Sequence, residues 1–346
     1  MELALRILGL PTGTYVAING YTCYAVYKAI VNANYAIEYI DITESDFNFS
    51  PAALEEKLQN NPLIKVVVIQ NTLGYPCDIE NIAAICKQKN IILIEDLAHS
   101  VGATYRSGHE AGTIGDFAVL SFSQDKMIDG ISGGALIIRN EQYRNAGSRK
   151  LSQVSFGRQC RDRCYPLLTL LIRKPHGIGF GKLAHALLRI AGLLSTPMRD
   201  GSSDALHDLP PWYCGLIHEQ FQSLEKELRR RGDIAEIYHK NLNPKYVQPS
   251  IAEKIGRSTN LRFPLLIQNR DALIAYLKKH RIYVSDIWYD APVAPKKYMH
   301  AVAYDHQCPV SEKISNEMLN LPTHKNISKR QAEIIAKKIN TWLRSP

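Results

Sequence analysis

No stretch of this sequence reaches the ~18 to 20 consecutive apolar residues that a membrane-spanning helix requires. The nearest candidate, Tyr165 to Ile172, is cut short by Arg173 and Lys174. The N-terminus also lacks a basic start followed by a long apolar core, so no secretory signal is read there and a cytoplasmic location is expected. The seven cysteines (23, 77, 86, 160, 164, 214 and 308) are odd in number and scattered, which excludes a disulfide framework and points to a reducing compartment. Cys160 and Cys164 stand four apart with no second Cys or His pair at zinc-finger spacing, so no metal site is expected. No G-x-G-x-x-G follows the first strand-like run, which argues against a nicotinamide dehydrogenase. Acidic residues are in short supply: 33 Asp and Glu stand against 42 Lys and Arg, a formal net charge of +9. The basic residues are spread along the chain, with short clusters at Arg229-Arg230-Arg231 and Lys278-Lys279-His280-Arg281. Nucleic-acid binding is not expected from net charge alone. The charge reads either as solvated helix faces or as steering of an anionic substrate.

What is present is an ordinary globular composition, 45% hydrophobic and 22% charged, on 346 residues, enough for two domains. Tyr15 to Ile18, Ile37 to Ile42, Val66 to Gln70 and Ile91 to Glu95 read as strands. Between them Tyr24 to Asn32, Pro51 to Asn60 (with Ser50 as N-cap) and Asp78 to Lys89 read as helices. Short continuous apolar strands alternating with helices indicate a parallel sheet covered on both faces, an α/β fold. The expected domains are a large α/β domain over 1–210, with an irregular helical excursion over 141–210, and a smaller α+β domain over 211–346. The second opens with one long helix, Trp212 to Leu242, and closes with an amphipathic helix, Lys329 to Leu343, capped by Ser328. Within the excursion, Lys182 to Leu194 puts Leu183, Leu187, Ile190 and Leu194 on one helical stripe. Two readings stay open for it: a helix packed on the protein or on a partner subunit, or membrane-surface contact through 165–194, where cations flank apolar residues.

The chemistry gathers in residues 88–140. One apolar run (Ile91 to Ile94) delivers Asp96 and His99; a second (Phe117 to Leu120) leads into Ser121, Ser123 and Lys126; a turn with Gly130, Gly133 and Gly134 follows. Taken singly, an Asp after a strand is a helix cap and a Lys in a loop is solvated. Together they match the needs of pyridoxal phosphate: an amine to form a Schiff base, a carboxylate against the pyridine nitrogen, and hydroxyls with close backbone approach for the phosphate. Lys126 supplies the first, Asp96 the second, and Ser121, Ser123 and the glycine turn the third. In a parallel sheet, ligands collect at the carboxyl ends of strands, where Asp96 is expected.

The stretches IEDLAHSVGA (94–103), GDFAVLSFSQDK (115–126) and SGGALI (132–137) resemble the DegT/DnrJ/EryC1/StrS family of sugar aminotransferases. VVVIQNTLGYPCDIENI (66–82) and SEKISNEMLNLPTHKNISKRQAEIIAKKI (311–339) extend the resemblance over nearly the whole chain. It implies a PLP-dependent transferase of fold type I, acting on a nucleotide-linked keto-sugar with an amino-acid donor, glutamate expected, as a homodimer. By the same resemblance Lys126 is the Schiff-base lysine and Asp96 the partner of the pyridine nitrogen. His99 lies near the ring oxygen, Ser121 at the phosphate, and Thr22 and Cys23 beside the cofactor. The chain also departs from the family pattern. Cys23, between Tyr21 and Tyr24, stands where an aromatic residue stacks on the ring. WYDAPVAP (288–295) replaces a Tyr-x-x-Pro-x-His segment, and 150–210 holds no Gly-Tyr-Asn loop. The family's Gly-Thr phosphate dipeptide would precede Met1, so an N-terminal portion with dimer contacts is expected to be missing. Relatives that dehydrate sugars carry His in place of the lysine, so Lys126 favours amino transfer. The non-enzymatic alternative is an impaired homologue acting as a scaffold or as a subunit of a hetero-oligomer.

Overall fold

The computed structural model describes residues 1–148, 151–173, 180–194, 206–284 and 289–344. By internal packing the chain forms two compact units, one of Met1–Leu120, Leu136–Gly147 and Ser223–Pro346, the other of Ser121–Ala135 and Ser148–Gln222. This is a different partition from the one read along the sequence, whose boundary at 210/211 is kept as a proposal.

The early strands are β1 (Tyr15–Asn19), β2 (Thr22–Cys23), β3 (Ala36–Ile40), β4 (Ile64–Gln70), β5 (Ile92–Asp96), β6 (Phe117–Ser121) and β7 (Gly134–Ile138). All but β2 form one sheet in the order β3–β1–β4–β5–β6–β7, and β3 through β6 pair in parallel. The α/β expectation holds. The reason is visible in β4 and β5: Val66, Val67, Val68, Ile69, Leu93 and Ile94 are all buried, so residues of both faces lie under cover. The parallel register sets Gln70 beside Asp96 and Asp96 beside Val119.

Four helices come from the same stretch: α1 (Glu2–Leu8), α2 (Tyr24–Asn32), α3 (Pro51–Asn60) and α4 (Ile79–Gln88). Ser50 caps α3 as the sequence predicts, its hydroxyl accepting from the Ala53 amide at 3.1 Å, with Pro51 in the first turn. Asp78 caps α4 in the same way.

The second unit contains α5 (Phe156–Arg173), α6 (Phe180–Ile190), α7 (Pro211–Gln222) and a short parallel pair, β8 (Ser152–Gln153) with β9 (His207–Asp208). Among the described residues its one fully buried acid is Asp162, which accepts from the hydroxyls of Ser132 (2.9 Å) and Tyr213. Burial and this carboxylate push the Tyr213 phenol up to about 12.

The long helix expected over Trp212 to Leu242 is in fact two, α7 and α8 (Leu224–Asn241), broken at Ser223. Ser223 sits at φ −95° and ψ 0° and leads into a first turn bearing Glu225 and Glu227. A serine followed by acids suits a helix start better than a helix interior, and periodicity alone does not register that.

The remaining elements of the first unit are α9 (Pro249–Lys254), β10 (Arg262–Leu266), α10 (Arg270–Lys279), β11 (Val293–Ala294), α11 (Pro309–Glu317), β12 (Met318–Pro322) and α12 (Lys329–Leu343). Antiparallel β10 and β12 carry Phe263, Leu265, Leu319 and Leu321 into a core with α8, α10 and α12. Ser328 and Gln331 close a capping box on α12, which buries Ala332, Ile335, Ala336 and Ile339 at helical spacing.

Candidate active site

Side chains alternate across a strand, so Glu95 and Asp96 at the end of β5 point to opposite faces. Glu95 is 1% exposed and takes hydrogen bonds from Tyr105 Oη (2.7 Å) and from the amides of Gly112 (2.7 Å) and Ile114 (2.8 Å). It ties down the loop between β5 and β6. Asp96, also buried, is the strand's last residue, one place earlier in the fold than the sequence suggested. One carboxylate oxygen accepts from the Ala98 amide at 2.9 Å, and the Leu97 amide donates to the Val119 carbonyl.

Beside Asp96 in the register stands Gln70, which sequence reading did not single out. Its amide donates to the Tyr21 carbonyl at 2.6 Å and to the Thr72 hydroxyl at 3.0 Å, while the Thr22 hydroxyl donates to its carbonyl oxygen at 3.2 Å. Gln70 thereby joins the Thr22 segment to the carboxyl ends of the strands. β2 is held from its other side by β11, with Thr22 opposite Val293 and Cys23 opposite Ala294. Cys23 is half-buried and is the N-cap residue of α2. Neither neighbouring tyrosine is spare: Tyr24 stacks on Tyr27 and Tyr298, and Tyr21 packs against Tyr289 at 4.7 Å between ring centroids.

His99 is buried, and its Nδ1 accepts from the Leu73 amide at 3.3 Å. A neutral imidazole with Nδ1 accepting carries its proton on Nε2. Tyr289 meets the ring edge-on at 89°, its hydroxyl 3.3 Å from Nδ1. Burial pushes the Tyr289 phenol well above its ordinary range, with the charges of Cys23 and Asp96 adding to the effect. The His99 carbonyl accepts from the Thr259 hydroxyl at 2.6 Å. Tyr289 lies in the WYDAPVAP stretch, so the departure from the family's segment was the available signal for it. Trp288 lies outside the described residues. Thr22, Cys23, Asp96 and His99 are thus gathered in the first unit.

Ser121 and Lys126 belong to the second unit. Ser121 ends β6, its hydroxyl 3.1 Å from that of Ser123, and the Lys126 amide donates to the Ser123 carbonyl at 3.3 Å. Asp125 takes the left-handed conformation at φ 65°, turning the chain just before Lys126. Gln220 of α7 grips the same loop, accepting from the Asp129 amide at 2.7 Å and donating to its carbonyl at 2.6 Å. The glycine turn is closed to close backbone approach at Gly133. At φ 95°, a Cβ there would stand 2.6 Å from the Leu209 side chain. That glycine accommodates packing by Leu209, where the sequence suggested room for a phosphate.

Among the described residues no group of three or more His, Cys, Asp or Glu is placed to hold a metal ion, and no helix is long and apolar enough to cross a membrane. The model of the DegT/DnrJ/EryC1/StrS aminotransferase family matches residues 1–169 and 207–340. The GDP-perosamine synthase of Escherichia coli O157:H7 is 25% identical over 99% of this chain and 82% of its own length. Two solved structures share the fold. The S. venezuelae protein DesV, in complex with a ketimine intermediate, superposes with a TM-score of 0.74 at 18% identity, over 100% of this chain and 82% of that one. Spr1654 from Streptococcus pneumoniae, in a PMP form, does so with a TM-score of 0.72 at 20% identity, over 98% and 84%. The chain belongs to the DegT/DnrJ/EryC1/StrS aminotransferase family.

Proposed function

We propose that this protein transfers an amino group from an amino acid, glutamate, to a keto-sugar carried on a nucleotide, using pyridoxal phosphate. The observation that carries this reading is the family match running through both Asp96 and Lys126. The GDP-perosamine synthase relative is named for a GDP-linked product, which supports a nucleotide-bound substrate. The chain's net charge of +9 suits a substrate bearing a diphosphate.

The residues fit the cofactor as a donor set. Asp96 is a buried carboxylate at a strand's carboxyl end, suited to a protonated ring nitrogen. Ser121 and Ser123 bring two hydroxyls within 3.1 Å of each other, a pair suited to phosphate oxygens. His99, whose Nδ1 accepts from the Leu73 amide, would stand near the ring oxygen. Thr22 and Cys23 would line the ring, with the thiol offering less stacking surface than an aromatic. When bound, the cofactor supplies an electron sink for charge left on a carbon that loses its proton. Lys126 would hold it covalently through Nζ between turnovers. Once displaced by the donor, that amine would take the proton from the donor's Cα, and return a proton to the sugar carbon in the second half-reaction. The proposed active form is a homodimer.

The test is borohydride reduction of the protein incubated with pyridoxal phosphate, followed by peptide mapping. A pyridoxyl group on Lys126, absent in Lys126→Ala, supports the assignment; no labelling, or labelling that survives Lys126→Ala, overturns it and leaves the scaffold reading. Conversion to the pyridoxamine form by glutamate, read by absorbance, tests the donor.

A further inference from the structure

The family model passes over residues 170–206, and an exposed apolar surface runs from the end of the matched part, at Leu167, into that stretch. In α5, Leu167, Leu170 and Leu171 stand at i, i+3 and i+4; in α6, Leu183, Leu187 and Ile190 stand at i, i+4 and i+7. Each set therefore forms one stripe along its helix. All six side chains are more than half exposed, Ile190 at 84%. Scattered exposed leucines are ordinary, but six on two short helices packed against each other are not.

The charge of the same segment is equally lopsided. Residues 156–194 hold seven Lys and Arg against the single Asp162, a net +6 out of the chain's +9. Asp162 is buried and bonded to Ser132 and Tyr213, so it offers no anion to a partner. Basic residues are spread over the whole sequence, but here acids are almost absent. A second copy of this chain docking here would set one basic, acid-poor segment against another. Nucleic acid would leave the leucines uncovered. A bilayer with anionic headgroups answers both features, since it takes apolar stripes at the acyl boundary and cations at the headgroups.

We propose that the α5–α6 pair is a membrane-docking element that seats the protein on an anionic lipid surface without crossing it. This inference is independent of the reading of the catalytic residues. The experiment is co-sedimentation of the full chain, saturated with pyridoxal phosphate, with mixed phosphatidylglycerol–phosphatidylcholine vesicles and with pure phosphatidylcholine vesicles. Binding is expected to the anionic vesicles, to weaken at high salt, and to fall at least about tenfold in the triple variant Leu183→Ser, Leu187→Ser, Ile190→Ser. Lys182→Glu with Arg189→Glu, which leaves the apolar stripe in place, is expected to abolish the preference for anionic vesicles. This pair decides the matter if the triple variant fails to fold by circular dichroism. No sedimentation with anionic vesicles, or equal binding by both variants and the parent chain, overturns the proposal. So does a parent chain that ignores vesicles but becomes smaller by light scattering when the stripe is changed, which would assign the surface to a second copy.

Discussion

The hydroxyl of Tyr289 lies 3.3 Å from Nδ1 of His99, across 190 residues of sequence, and both side chains are buried. Replacing Tyr289 by Phe keeps the edge-on ring contact and removes only the hydroxyl. The expected loss is about 1 kcal/mol of stability, the usual net worth of one such bond. Urea denaturation of the two proteins measures it, and an unchanged midpoint would mean that the contact contributes nothing.

Glu95 accepts hydrogen bonds from donors on the loop that precedes β6, and every partner named above for it is an N–H or O–H. Glu95→Gln is nearly isosteric but turns an NH2 group toward one set of those donors. Facing donors in a buried site are expected to cost about 2 to 3 kcal/mol. Thermal melting followed by circular dichroism checks this. A melting point within a degree or so of the parent would contradict the geometry.

Gly74 is at φ 92°, and a Cβ there would collide with the Thr259 hydroxyl and stand 2.9 Å from the His99 carbonyl. Gly74→Ala is expected to destabilise the protein by more than about 2 kcal/mol through backbone strain and the clash together. Thr259→Ala in the same chain should recover part of the loss in denaturant titrations, because it removes the clashing hydroxyl. Fully additive losses would show that the two positions do not interact.

The cysteines should sort by burial. Cys164 and Cys214 are exposed, whereas Cys77, Cys86 and Cys308 are buried. Burial, reinforced by nearby carboxylates, pushes the Cys86 and Cys308 thiols up to about 12 and raises that of Cys77 as well. Thiolate is the reactive form, so the three buried groups should resist Ellman's reagent near pH 8 until the protein unfolds. Peptide mapping after a short alkylation pulse reads the pattern directly. Rapid modification of Cys86 or Cys308 in folded protein would contradict it.

Much of the candidate site could be proposed from sequence because its parts are local. An apolar run ending in Asp96, and another ending in Ser121 with Lys126 five residues on, are short-range patterns whose meaning does not depend on the rest of the chain. Caps at Ser50 and Ser328 were legible for the same reason, since each bonds an amide only three residues away. Gln70, Tyr289 and Thr259 were not. Gln70 gains its meaning from the β4–β5 register, and the other two from contacts 190 and 160 residues away in sequence. The break at Ser223 was missed because periodicity continues through it, and only the backbone angles end the helix.

By itself, then, the sequence determined the alternating α/β order and the parallel sheet, and it nominated Lys126 and Asp96 as the candidate amine and acid, because apolar periodicity and local spacing are written residue by residue. Tertiary structure alone decided what each candidate residue meets. It placed Gln70 beside Asp96, gave Nδ1 of His99 the Leu73 amide as a donor, and filled the space at Gly133 with Leu209. It also left the leucine stripes of α5 and α6 facing outward. An apolar stripe looks the same in sequence whether it is covered or bare, because the pattern records a helix's face and not what packs against it.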